Sequence, residues 1–134
     1  MRTVGLAVLL LASPAGAEGT IGGEKFEPLV EGRSLAWAIE GQTPHGIERY
    51  YPDRRVTWFR VGAQTCLEGS WTVKGPKDDP AICFVYEDSP AEQCFRVWRE
   101  DGALVATEVG GGNRLRSELG PEHEVEFGCG FLGT

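Results

Sequence analysis

Four cysteines, Cys66, Cys83, Cys94 and Cys129, are the residues with the most chemistry to offer in this chain. Thiols serve as disulfide staples, as zinc ligands or as redox couples. The spacing C-x16-C-x10-C-x34-C contains no C-x-x-C. That removes zinc ribbons and thioredoxin-type couples and favours staples. The stretch "ICFVYEDSPAEQCF", residues 82–95, sharpens this. If residues 82–86 and 91–95 form a hairpin around Glu87-Asp88-Ser89-Pro90, Cys83 falls opposite Cys94. Directly opposed Cβ atoms lie about 4.5–5.5 Å apart, close to disulfide reach. The same register gathers Ile82, Phe84, Tyr86, Phe95 and Val97 on the other face, so one pairing meets two requirements. The expected bridges are Cys83–Cys94 and, with the remaining two, Cys66–Cys129. They are worth roughly 3 and about 4 kcal/mol through loop closure.

Other chemistry is sparse. "GCGFLG", residues 128–133, matches G-x-G-x-x-G, but only Thr134 follows where a phosphate-binding helix is required. "VGGGNR", residues 109–114, has neither the helix nor the lysine of a phosphate loop and reads as a turn. Ser34 in "GRSLA" and Ser70 in "EGSWT" do not match G-x-S-x-G. The two histidines are His45, in the turn-like "TPHG", and His123, which opens an alternating run. His123 is either a half-buried barrel-end residue or the polar handle of a ligand pocket at a barrel mouth. Asp78-Asp79 and Glu87-Asp88 lack the spaced oxygens and glycine of a calcium loop. No metal and no cofactor is expected. A hydrolase using His123 with a carboxylate is one catalytic reading, a glycosidase-like carboxylate pair is another that no spacing selects, and the chain is expected not to be an enzyme.

The elements that must position these residues are mostly strands. Short runs rich in Trp, Tyr, Phe and Val recur every eight to twelve residues: "SLAWAIE", "GIERYY", "RVTWFRV", "GSWTV", "AICFVYE", "QCFRVWR", "ALVATEV" and "HEVEFGC". Turn clusters such as "GQTPHG", "KGPKDDP" and "GGGN" separate them. The pattern predicts an all-β fold, an antiparallel meander of about eight short strands forming a small barrel or sandwich. In the last run, Glu122, Glu124 and Glu126 alternate with His123, Val125, Phe127 and Cys129, which predicts a strand with Cys129 pointing inward. Before the strands, Phe26, Leu29 and Val30 fall at i, i+3, i+4 and Gly32 supplies a stop. A short N-terminal helix is expected there, with Pro28 confined to its first turn.

The first seventeen residues stand apart. Arg2 precedes the apolar run Val4–Ala12, Pro14 breaks it, and Ala15-Gly16-Ala17 is a cleavage pattern. Residues 1–17 read as a secretory signal peptide, which leaves one disulfide-linked β domain over 18–134. Removing Arg2 with the leader takes the net charge from −7 to −8. Such a chain repels nucleic acid and anionic lipid. The expected protein is a periplasmic or secreted monomer with no membrane insertion, where thiols oxidise.

Four tryptophans, Trp37, Trp58, Trp71 and Trp98, sit in four different expected strands. In a small domain most build the core, and one or two can line a cleft. Together, "ERYYPDRRVTWF", "CLEGSW", "ICFVY" and "CFRVW" resemble a group of small exported bacterial proteins of unknown function with a lipocalin-like β-meander. The likeness covers about Phe26 to Trp98. It implies an envelope location and a barrel-like fold, and brings no catalytic residues with it. The G-x-W of "GSW" also resembles the lipocalin signature, displaced here to about the fourth strand. The function expected is a non-enzymatic binding or accessory module, holding an apolar small molecule near Trp58, Trp71, Trp98 and His123. The alternative is an acidic inhibitor of a basic secreted hydrolase or other basic envelope protein, with "GPKDDP" or "EDSPAE" as its contact loop.

Overall fold

The computed structural model describes residues 19–63 and 65–126, together with Gly5 and Cys129. The expected leader therefore lies outside the described residues apart from Gly5. A helix α1, Gly23–Val30, is followed by strands β1 Ser34–Ile39, β2 Pro44–Tyr50, β3 Arg55–Arg60, β4 Cys66–Lys74, β5 Ala81–Tyr86, β6 Ser89–Glu100, β7 Ala103–Glu108 and β8 Arg114–Glu118. Every strand pairs antiparallel with the next, and β8 returns to β1 through Ala38↔Arg116 and Ile39↔Leu115. The sheet is thus a closed eight-stranded meander barrel, and the sandwich alternative falls away. Closure removes free edges and gives each strand one inner and one outer face.

Alternation decides which residues enter. On β4, Leu67, Gly69 and Trp71 share the inner parity. On β5 it is Ile82, Phe84 and Tyr86, and on β6 Phe95 and Val97. Of these, Trp71, Ile82, Phe84, Tyr86, Phe95 and Val97 join Leu35, Trp37, Tyr50, Val56, Leu104 and Ala106 in a continuous apolar core. The register Ile82↔Phe95, Cys83↔Cys94, Phe84↔Gln93 is the one the cysteine argument requires. The connection is tighter than the four-residue loop expected: Tyr86 pairs with Ser89 across a turn at Glu87-Asp88, and a bulge absorbs the extra residues of β6.

α1 closes one end of the barrel. Phe26 and Val30, one helical turn apart, are buried. The Phe26 ring meets Tyr50 edge-on at 5.8 Å and Trp71 at 5.1 Å. Ile21 N–H donates to the Val97 carbonyl, and Gly32 N–H to that of Tyr50. Gly32 ends the helix at φ +79, a conformation that suits glycine. Pro28 is the sixth helical residue rather than a first-turn one. Its missing N–H leaves the carbonyl of the exposed Glu24 to solvent, and the helix ends two residues later.

The eighth strand is not the one expected. "HEVEFGC" forms no strand over its described residues: Pro121–His123 is a 3₁₀ turn, and 124–126 are irregular. The strand is "RLRSE" instead, with Leu115 and Ser117 inward. Once β8 joins β1, the barrel has no edge left for a later segment to pair with. Phe127 lies outside the described residues.

Candidate functional site

The end of the barrel opposite α1 is open, and a cavity of about 410 Å³ descends from it. Phe26, Tyr50, Val97 and Ala106 form its floor; Trp37, Trp58, Phe84, Tyr86 and Phe95 form aromatic walls. His45, Arg60, Asp88 and Glu108 stand at the rim, with Asn113 beyond the three-glycine turn of "VGGGN". Phe84 stacks with Tyr86 at 6.3 Å and meets Phe95 at 6.0 Å. His45 tilts against Trp58 at 5.7 Å. Apolar walls with a few convergent polar groups are the usual make-up of a small-molecule site.

Two glycines make room for two of these aromatic walls. Gly46 on β2 has inner parity, and a Cβ there would collide with the Trp58 indole and the Phe59 carbonyl. Gly69 on β4 does the same for Tyr86, whose ring and the Val85 carbonyl occupy the space a Cβ would need. The glycine of "GSW" therefore accommodates Tyr86. Its tryptophan, Trp71, fills the closed end.

One carboxylate lies within the aromatic walls. Glu48 on β2 is 3% exposed. Its Oε1 accepts the Tyr86 hydroxyl at 2.7 Å, while Oε2 is buried without a partner. Beside it the Trp37 indole N–H donates to the Tyr50 hydroxyl at 3.1 Å. Burial pushes the Glu48 carboxyl up from 4.5 to about 8, against a smaller lowering from the Tyr86 hydrogen bond. Burial first, and the Glu48 charge second, push the Tyr50 and Tyr86 phenols far above their usual range. Both tyrosines therefore stay neutral, and Glu48 is mostly a neutral acid at pH 7.

The expected ligand residues are separated. Trp58 lines the cavity. Trp71 lies beneath its floor, 2% exposed, with the Arg54 guanidinium 4.5 Å over its ring. Arg54 also binds Glu27 of α1 at 2.9 Å, so one side chain ties the helix to the barrel. Trp98 has outer parity. Its indole N–H donates to Glu100 at 3.2 Å and the Arg114 guanidinium lies over its ring at 5.2 Å. His123 is exposed in the 3₁₀ turn after β8, toward the α1 end, with Nε2 3.5 Å from the Glu122 carboxylate. The two suggested contact loops differ. "EDSPAE" is largely taken into the β5–β6 hairpin, and in "GPKDDP" Asp79 is held by Arg96 at 3.1 Å. Glu48, Tyr86 and His45 were not expected at a site. The available signal was parity: in "GIERYY", Glu48 shares a face with Gly46 and Tyr50.

Both disulfides form as expected, Cys83–Cys94 and Cys66–Cys129, and among the described residues no cysteine is free. Cys129 is buried, but outside the barrel: Leu67 faces the cavity, so its neighbour Cys66 faces outward. Cys83, Cys94 and Glu92 come within metal-binding distance of one another, yet oxidation leaves no thiolate to bind. Among the described residues no helix is long and apolar enough to cross a membrane. Comparison with known proteins finds no matching family model, curated protein or solved structure. Of the resemblance noted in the sequence, the closed antiparallel meander is what the structure carries.

Proposed function

We propose that this protein is a non-enzymatic module that holds an apolar small molecule inside its barrel. The observation that carries this reading is the aromatic-walled cavity, open at one end and stopped by α1 at the other. Eight strands are enough to enclose one small ligand. Two disulfides suit an oxidising compartment, so the protein works in the periplasm or outside the cell. Trp58 forms part of the wall and reports on occupancy. Titration with N-phenyl-1-naphthylamine, a neutral fluorescent apolar probe, should quench tryptophan emission and saturate at one equivalent. Trp58→Phe should reduce that quenching, with Trp37 as the remaining wall reporter, while the probe still binds. Absence of saturable binding by the folded protein would overturn the reading.

A further inference from the structure

We propose that the cavity selects organic ammonium ions carrying an aromatic or aliphatic body, with Glu48 as their counter-ion. This deepens the barrel-cavity reading and rests on it. The basis is geometric. A buried polar atom without a hydrogen-bond partner is costly, and folded proteins seldom retain one. Glu48 Oε2 is such an atom, on a side chain that lines the cavity. Oε2 is therefore the oxygen left to accept from an occupant, while Oε1 keeps the Tyr86 hydroxyl.

The surroundings favour a cation over other donors. Trp37, Trp58, Tyr50 and Tyr86 line the same space as Glu48, and the faces of such rings attract ammonium groups. Tyr50 and Tyr86 stay neutral and supply no competing charge. Among the described residues no lysine lines the cavity, and at its rim Arg60 stands with Asp88 and Glu108. The chain's net charge of −7 adds a long-range attraction for cations.

Ammonium binding requires ionised Glu48, so entry of the cation expels the carboxyl proton to solvent. Below about pH 8, affinity for a cation should then rise roughly tenfold per pH unit. The groups facing Glu48 are Tyr50 on its own strand and Tyr86 on β5, with His45, Arg60, Asp88 and Glu108 further out at the rim. These rim groups are common to the wild type and the Glu48 variant, so the variant isolates the Glu48 contribution.

The test is calorimetric titration of the oxidised protein with tryptamine and with its neutral counterpart tryptophol, at pH 6 and pH 7. Tryptamine should bind more tightly than tryptophol at pH 7. Its affinity should rise roughly tenfold between the two pH values with release of about one proton, while tryptophol stays flat. Glu48→Gln should weaken tryptamine by about tenfold or more, abolish its pH slope, and leave tryptophol within about threefold. A slope that survives Glu48→Gln assigns the effect to another group and overturns the proposal. Equal affinity for the two ligands overturns it as well, leaving the cavity reading intact. If neither ligand nor the neutral naphthylamine binds, both readings fail. Where Glu48→Gln does not fold, His45→Gln keeps the proposal falsifiable: the tenfold rise for tryptamine should persist in it, and a flat profile overturns the proposal.

Discussion

The two ends of this barrel solve opposite problems with the same residue types. At the α1 end, Phe26, Tyr50 and Trp71 meet edge to face, and Arg54 caps Trp71 while binding Glu27. At the other end Trp58, Phe84, Tyr86 and Phe95 ring a void, and two glycines give Trp58 and Tyr86 room. Aromatic rings pack a plug where a helix supplies a partner, and they frame a cavity where none does. The cavity end also holds Glu48, a group that burial makes costly. The closed end invests in stability, and the open end gives some of it up. A buried, half-satisfied carboxyl is a common mark of a site kept for binding.

The largest expected effect breaks the closed end. Phe26→Ala removes the ring shared by the plug and the cavity floor. It should cost about 3–5 kcal/mol, read as a lower midpoint in urea unfolding. The next acts on the open end with the opposite sign. Below pH 4.5 Glu48 is protonated in both the folded and unfolded chain. Between 4.5 and about 8 the unfolded chain releases the proton and the folded chain keeps it, so folding is increasingly opposed. The deficit reaches the order of a few kcal/mol near pH 8. Glu48→Gln removes that titration. In thermal melts the variant should gain on the wild type steadily from pH 5 to pH 8, and a constant gap would refute the assignment.

Arg54→Ala should cost less, about 1–2 kcal/mol, because its ion pair with Glu27 is partly exposed and only the stacking on Trp71 is well shielded. It should leave ligand titrations unchanged, which sharpens the division between the ends. The smallest stability effect belongs to Trp58→Phe, below about 1.5 kcal/mol because the wall is incompletely packed. Its consequence should appear in ligand-dependent fluorescence.

The closed end and the cysteines were largely legible in the sequence. Cys83–Cys94 could be placed because the register that opposes them also aligns Ile82 with Phe95, and a wrong register would have sent those side chains outward. Phe26 and Val30 carry the helical period directly. The open end was legible only in part. β8 is not legible in the sequence because "RLRSE" shows a single large apolar residue, Leu115, between two arginines whose place is the outer face. "HEVEFGC" alternates better, but alternation reports a suitable strand and not a free edge to pair with. Glu48 carries no site signal in the sequence, because a carboxylate between strand residues normally means a solvated face. Burial requires the far wall, Tyr86 on β5, some 38 residues away in the chain. Trp71 and Trp98 looked equivalent to Trp58 as cleft residues. Their separation follows from barrel closure, which sets Trp71 against α1 and turns Trp98 outward.

The most direct test of a ligand-holding barrel is to fill the cavity without disturbing its walls. Ala106 is 4% exposed and sits at the floor, so Ala106→Phe projects a ring into the void. Titrated with N-phenyl-1-naphthylamine, the wild type should saturate at one equivalent. The variant, with an unchanged circular dichroism spectrum, should show no saturable binding. Equal binding by both proteins would place the probe elsewhere and contradict the barrel cavity as the binding site.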